Sequence, residues 1–230
     1  MPKRSGKSPA RPEPPANAGR RARKGASEGG RAPAYEYEVF VSYRRRDPVL
    51  SWMNNHFFPK LVHWLPQFWP SDLPTPRIAK DDQMETGVRW PERLAEMHAG
   101  SRCMVAILSP EYFRSAWCES EWRAMCAREK LVGMATKGRT RGLIFPVLFC
   151  GDTSVLPKEA ASRQWVDFTR LNFPDEVFRF HPTYLELDQA VQTVARDLVS
   201  MIQSAPPRRA WPRLEAPKTV ARPPLALPRL

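Results

Sequence analysis

The sequence predicts an α/β fold in which a central parallel sheet of about five strands carries helices on both faces. Two observations lead to this prediction. Strand-like apolar runs alternate along the chain with segments of helical spacing, which is the order typical of parallel sheets. The central runs, at residues 103–108 and 143–149, are apolar almost throughout, as strands buried on both faces are.

Composition confines the fold to the middle of the 230-residue chain. Residues 1–34 and 205–230 are rich in Pro, Lys and Arg, and their net charges of +7 and +5 make up the entire formal charge of +12. Such segments bury too little apolar surface to fold, and we expect both to be disordered. Residues 35–204 carry no net charge and are long enough for one domain with a full core.

The same distribution of charge argues against a folded nucleic-acid-binding domain, despite a pI near 10.0. The basic tails would bind nucleic acids or acidic membranes weakly and without sequence preference, so no specific nucleic-acid partner is expected. The four cysteines lack paired spacing, which favours reduced thiols in a cytoplasmic protein and no metal site. The N-terminal segment lacks the apolar core of a secretory signal, and no apolar run is long enough to span a membrane.

The predicted elements alternate along the middle of the chain. Residues 37–43 are β-branched and aromatic, which predicts the first strand. Residues 49–65 have the apolar spacing of a helix, with a kink or break expected at Pro59. The other predicted strands are residues 77–79, 103–108, 143–149 and 164–168, and the other predicted helices are residues 90–99, 110–132 and 184–203.

Residues 108–122 contain the clearest candidate site. Ser109-Pro110 is a helix-starting pair, so we predict that the helix begins there. Trp117, Cys118 and Glu121 follow at offsets of three and four, which puts them on one helix face near its start. Ligand sites of parallel sheets lie beyond the carboxyl ends of the strands. A carboxylate beside a large aromatic ring at that edge suits chemistry on a cationic ring.

Simpler interpretations stand beside this one. Most helical glutamates are solvated, and Glu121 could be one of them. Cys118 is expected to pack as a small apolar residue rather than to act as a nucleophile, and Glu119 to lie on the surface. Trp117 either lines the site or belongs to the core. In the charge run 44–46 most side chains should be solvated, with one of them contacting a ligand.

Three segments form an ordered set at the predicted strand ends. They are Phe40-Val41-Ser42-Tyr43, the stretch from Asp81 to Trp90, and the stretch from Ser101 to Glu121 with its Trp117-Cys118-x-x-Glu121. Together they resemble the Toll/interleukin-1 receptor (TIR) domain family, particularly its bacterial and NAD-cleaving members. The resemblance covers roughly residues 36–203 and implies a flavodoxin-like sheet, with the catalytic glutamate in the third segment.

The resemblance implies an NAD+ nucleosidase that breaks the nicotinamide–ribose bond, giving nicotinamide and ADP-ribose or a cyclic form. Nicotinamide leaves as a neutral molecule, so the site needs negative charge near the developing oxocarbenium ion and a grip on the ribose. Glu121 would be catalytic. Substrate would be bound by Tyr43, Arg44, Arg45, Asp81, Trp90 and Trp117. NAD+ would be the substrate, and no cofactor is expected.

The resemblance also implies self-association of TIR domains and a role as an effector in bacterial defence or signalling. The alternative is a non-catalytic TIR adaptor that acts through protein–protein interaction. A third, weaker hypothesis is a nucleic-acid-associated protein that binds through its basic tails.

The C-terminal tail has one feature beyond its linker-like composition. Trp211-Pro212-Arg213-Leu214 is echoed by Leu227-Pro228-Arg229-Leu230. Apolar anchors in an extended, basic, Pro-rich segment are common in docking peptides. Residues 205–230 are therefore either a plain linker, which is the default for this composition, or a segment that docks on a protein partner.

Overall fold

The structure, a computed structural model, describes residues 34–80, 90–152, 154 and 156–217. Within these residues five parallel strands form one sheet in the order β2-β1-β3-β4-β5. The strands are β1 (Tyr37–Ser42), β2 (Ile78–Lys80), β3 (Ser101–Leu108), β4 (Ile144–Leu148) and β5 (Val166–Asp167). The predicted α/β fold with a flavodoxin-like strand order is confirmed.

Helices cover both faces of this sheet. The α-helices described are α1 (Val49–Trp52), α2 (Phe58–Trp64), α3 (Trp90–Gly100), α4 (Ala116–Leu131), α5 (Lys158–Ala161) and α6 (Tyr184–Ser204). A first core lies between the sheet and α1, α2 and α6, and a second core lies between the sheet and α3, α4 and α5. Side chains of each strand alternate between the two cores, which decides what each strand end presents to the site.

The predicted break near Pro59 takes the form of a π-helical turn. Residues Met53–Phe57 are π-helical and join α1 to α2, whose second residue is Pro59. Proline lacks the N–H that would bond the Asn55 carbonyl. The Arg179 guanidinium donates to that carbonyl instead, at 3.2 Å.

The helix predicted over residues 110–132 begins later than expected. Residues 110–114 form turns, and α4 starts at Ala116 with Ser115 as its N-cap, whose Oγ accepts from the Cys118 N–H at 3.5 Å. The Ser109-Pro110 prediction was wrong because Tyr112, fully buried in the second core, holds this segment against the sheet. Glu121 therefore lies in the second turn of α4.

The C-terminal tail was predicted to be disordered from residue 205, and this was wrong for residues 205–217. This segment, here called the C-terminal strap, has no helix or strand but packs along α4. Trp211 and Leu214 are both buried, and Leu214 belongs to the second core. The two apolar anchors of the docking interpretation are therefore used within the chain itself. Residues 1–33 and 218–230 lie outside the described residues.

None of the helices in the described part of the chain is long and apolar enough to cross a membrane.

Candidate active site

The Glu121 carboxylate is buried at the carboxyl edge of the sheet, with only 5 % of the residue exposed. Its Oε2 accepts a hydrogen bond from Ser42 Oγ at 2.5 Å, and Ser42 Oγ lies 2.6 Å from Tyr112 Oη. Because Ser42 gives its single proton to the carboxylate, the Tyr112 hydroxyl donates to Ser42. The three groups form one directed chain, Tyr112 to Ser42 to Glu121, that ends on the carboxylate.

Tyr112 remains a donor in this chain. Burial raises its pKa well above the usual range, and the nearby Cys118 and Glu121 raise it further. The Tyr112 hydroxyl is therefore protonated at any ordinary pH. Hydrogen bonds to a carboxylate are among the stronger ones in proteins. The bond from Ser42 therefore fixes the orientation of the Glu121 side chain.

The backbone of Glu121 is anchored as well. Its carbonyl lies 3.1 Å from Nε2 of His98, a fully buried residue of α3. Burial lowers the pKa of His98 well below its usual range, and the charge of Arg128 lowers it further. His98 is therefore neutral, and it ties α4 to α3 at the residue that carries the carboxylate.

These groups meet at the topological switch point of the sheet. Strand β1 pairs with β2 on one side and with β3 on the other, and Ser42 is the last residue of β1. Glu121 comes from α4, which follows β3. In open parallel sheets, the crevice beyond such a pair of strands is where ligands bind.

Two indole rings pack against each other near the start of α4. Trp117 precedes Glu121 by one helical turn, and its ring contacts that of Trp90 edge-to-face, with centroids 4.5 Å apart. Both side chains are half-buried against the second core. Among the described residues, neither indole N–H finds a hydrogen-bond partner, and the buried hydroxyl of Ser109 finds none either. These groups can serve a ligand, because buried donors without partners are unfavourable.

The remaining predicted substrate residues are placed differently. Tyr43 packs in the first core, on the face of the sheet opposite to Ser42. Arg44 and Arg45 follow directly after, at the same sheet edge, and both are half-buried. Asp81 lies outside the described residues.

The two neighbours of Glu121 on α4 occupy the positions predicted for them. Cys118 is buried in the second core. Glu119 pairs with Arg123 at 2.6 Å on the helix surface. Glu121 is thus the buried carboxylate of this turn, and Glu119 is its solvated counterpart.

Three residues of the site were missed by sequence reasoning. Ser42 and Tyr112 hydrogen-bond in the chain to the carboxylate, and His98 holds the Glu121 peptide. The period-two alternation of β1 would have placed Ser42 on the α4 side and Tyr43 on the other. No local pattern marked Tyr112 or His98, since both act through contacts distant in sequence.

A cavity of about 830 Å³ lies at the opposite edge of the sheet, near the start of β4. Its buried carboxylate, Glu129, accepts from the backbone N–H groups of Leu143 and Ile144 and pairs with Arg163. These contacts hold strand and helices together, so we assign Glu129 a structural role. Among the described residues, no cluster of three or more His, Cys, Asp or Glu side chains could hold a metal ion.

Fold and site together define an α/β protein with a buried carboxylate at the switch point of a flavodoxin-like sheet. The family model for the TIR domain matches residues 39–179, and the chain belongs to the TIR domain family. No curated protein matches the sequence.

Two solved TIR structures are similar to this chain. One is the TIR domain of the Toll-related receptor TRR-2 from Hydra magnipapillata, at 15 % identity, a TM-score of 0.43, and coverage of 70 % of this chain and 98 % of that one. The other comprises the TIR domains of the activated Roq1 resistosome that directly recognises the pathogen effector XopQ. That match has 20 % identity, a TM-score of 0.38, and coverage of 73 % of this chain and 95 % of that one.

Proposed function

We propose that this TIR domain is an NAD+ nucleosidase and that Glu121 is its catalytic residue. The observation that carries the proposal is the Glu121 carboxylate, on a residue only 5 % exposed and oriented by Ser42 at the ligand-binding edge of a parallel sheet. The packed pair of Trp117 and Trp90 begins one helical turn before it. A buried, oriented negative charge is what a developing oxocarbenium ion requires.

In the proposed reaction the bond between the ribose C1′ and the nicotinamide nitrogen breaks, and its electron pair goes to the nitrogen. Nicotinamide leaves as a neutral molecule, so no general acid is needed. Glu121 stabilises the sugar cation and accepts the proton of the water that attacks C1′, and this proton then passes to solvent. The products are nicotinamide, ADP-ribose and a proton; attack by an atom of the adenine ring instead of water gives a cyclic product.

The neighbouring side chains have distinct tasks in this proposal. Trp117 and Trp90 form an aromatic wall that suits the cationic nicotinamide ring, because aromatic faces attract cations. Arg44 and Arg45, at the end of β1, suit the pyrophosphate. Tyr43 is not included, since its ring lies in the first core.

Self-association belongs to the same proposal, since in many members of the family a neighbouring TIR domain completes the site. We propose that this chain acts in the cytoplasm as an effector of bacterial defence or signalling. All four cysteines are free thiols, the state that the cytoplasm maintains.

The test is release of nicotinamide from NAD+ by the purified full chain, followed by chromatography over a range of protein concentrations. We expect release that increases more than proportionally with concentration, loss of activity in Glu121→Gln, and normal activity in Glu119→Gln. Equal activity in the two variants would refute the role of Glu121. No release by the wild-type chain at any concentration would refute the enzymatic proposal.

A non-catalytic adaptor is the second candidate, and one observation favours it. The segment from residue 173 to residue 185 exposes four large apolar side chains, here called the apolar ridge: Phe173, Val177, Phe180 and Leu185. Phe180 is 90 % and Val177 is 73 % exposed. Exposed apolar groups gathered on one segment are typical of protein–protein contact sites. Binding of a partner through this ridge without any release of nicotinamide would identify an adaptor.

A further inference from the structure

The C-terminal strap lies along α4 and reaches from the far half of this helix to the turn that carries Glu121. It is tied down near its start, where Tyr35 Oη donates to the Pro206 carbonyl at 3.1 Å and Arg208 donates to the Ala34 carbonyl at 2.6 Å. Further along, Ser120 Oγ donates to the Glu215 carbonyl at 2.5 Å. The strap thus contacts α4 at the residue that precedes Glu121 in the sequence.

The sequence of α4 makes room for this segment. Ser120, Ala124 and Ala127 follow at offsets of four and three, so three small side chains share one face of the helix. Trp211 and Leu214 are the buried residues of the strap, whereas Arg213 between them is exposed. The alternation of anchor and solvated residue shows a segment fitted to this helix.

Trp211 covers an unusual buried cation. Its ring centroid lies 5.2 Å from the guanidinium carbon of Arg128, a fully buried residue of α4. No described carboxylate lies within ion-pair distance of Arg128. Its guanidinium donates instead to the carbonyls of Ser101 at 2.9 Å and His98 at 2.6 Å. The indole face of Trp211 therefore supplies part of the compensation for this charge.

Arg128 in turn fixes the state of His98. The second terminal nitrogen of Arg128 lies 3.3 Å from His98 Nδ1, and His98 Nε2 lies 3.1 Å from the Glu121 carbonyl. A carbonyl only accepts and a guanidinium only donates, so Nε2 carries the ring proton and Nδ1 accepts. One arrangement satisfies both neighbours: a neutral imidazole that donates to the peptide of Glu121.

We propose that His98, Arg128 and Trp211 are positioning residues for Glu121, and that docking of the C-terminal strap on α4 sets the rate of NAD+ cleavage. This proposal rests on the proposed function. Trp211 packs on the Arg128 guanidinium, and Arg128 donates to Nδ1 of His98 and so fixes its tautomer. His98 then donates from Nε2 to the Glu121 carbonyl. A strap lifted by a partner or by a second copy of the chain would loosen the turn that carries the carboxylate and slow the reaction.

The experiment compares Trp211→Ala, Trp211→Phe and Arg213→Ala in the full chain, with two measurements on each. The first is amide hydrogen exchange of the α4 peptide around residues 118–125, which needs no enzymatic activity. The second is the kcat and KM of nicotinamide release. Trp211→Phe keeps an aromatic face over Arg128, and Arg213→Ala changes an exposed neighbour on the same strap.

We expect Trp211→Ala to speed amide exchange in this peptide and to lower kcat, each roughly threefold to tenfold. KM should be unchanged, because Trp211 packs on Arg128, two turns of α4 beyond Glu121. Trp211→Phe should restore most of both the slow exchange and kcat, and Arg213→Ala should match the wild type. If Trp211→Ala does not fold, Ser120→Ala removes the hydrogen bond to the Glu215 carbonyl instead. This variant should change the exchange rate and kcat in the same directions.

Unchanged exchange around residues 118–125 in a variant whose strap exchanges freely would overturn the proposal, as would faster exchange with an unaltered kcat. If the wild-type chain releases no nicotinamide, the proposed function fails, and the exchange measurement alone then decides whether the strap is coupled to α4.

Discussion

Ser42 is the residue through which the hydrogen-bond chain of the site can be tested most cleanly. Its hydroxyl is 1 % exposed and makes two bonds at once, donating to Glu121 and accepting from Tyr112. Ser42→Ala deletes a single oxygen and creates almost no cavity. The variant therefore leaves two buried polar groups without their partner, and little else is changed.

The expected loss of stability follows from these two bonds. A hydrogen bond to a carboxylate contributes about 1.5–3 kcal/mol, and a buried hydroxyl left without an acceptor costs about 1–3 kcal/mol. Ser42→Ala should therefore lower the free energy of unfolding by about 4 kcal/mol. Tyr112→Phe keeps the bond from Ser42 to Glu121 and should cost only about 1 kcal/mol. The double variant no longer buries an unpaired tyrosine hydroxyl, so it should be about 1 kcal/mol more stable than Ser42→Ala.

The assay is urea unfolding of the three variants at neutral pH, followed by tryptophan fluorescence. The double variant should fall about 2 kcal/mol short of the sum of the single losses, the signature of groups in direct contact. Ser51→Ala is the matched control, because its hydroxyl also bonds a carboxylate, that of Asp47, at 2.5 Å but at the exposed surface. It should change stability by less than about 0.5 kcal/mol. Strictly additive losses of stability for the Ser42 and Tyr112 variants would refute the hydrogen-bond chain.

Two further predictions concern parts of the molecule away from the site. Burial raises the pKa of Asp188, but hydrogen bonds from Lys60, Trp64 and Gln192 outweigh it and leave that pKa below its ordinary value. The stability that the Asp188 carboxylate contributes is therefore present above about pH 4 and is lost as the pH falls through its lowered pKa. Asp188→Asn should be less stable than the wild type at pH 7 and equally stable in strong acid, as measured by urea unfolding. Phe180→Ser should change the free energy of unfolding by less than about 0.5 kcal/mol, because the side chain is exposed. It should lower the apparent mass in light scattering at high protein concentration. An unchanged mass would exclude the apolar ridge from self-association.

Sequence reasoning recovered the parallel sheet because each central strand is marked by its own apolar run. It placed the start of α4 too early, since Ser109-Pro110 has the composition of a helix start and nothing local shows that Tyr112 is drawn into the core. The Pro-rich composition of residues 205–217 led to a prediction of disorder. Two buried residues, Trp211 and Leu214, are enough to hold this extended segment on α4.

For the site, the helical spacing from Trp117 to Glu121 was enough to single out the pair, because neighbours on a helix are fixed by local geometry. The partners that orient the carboxylate were out of reach. Ser42 and His98 lie 79 and 23 residues away along the chain, and only the packed sheet brings them to Glu121. Tyr43 was predicted as a substrate residue from the resemblance, and the structure places its ring in the first core.

Cleavage of NAD+ by the buried carboxylate on α4 is tested most directly by comparing Glu119→Gln with Glu121→Gln. The quantity measured is the ratio of their initial rates of nicotinamide release, at equal concentration and on folded protein. The two variants make the same chemical change two residues apart, one at the surface and one in the site. We predict a ratio of at least about 100, the effect of removing a group that stabilises charge in a transition state. A ratio near one would contradict a catalytic role for Glu121.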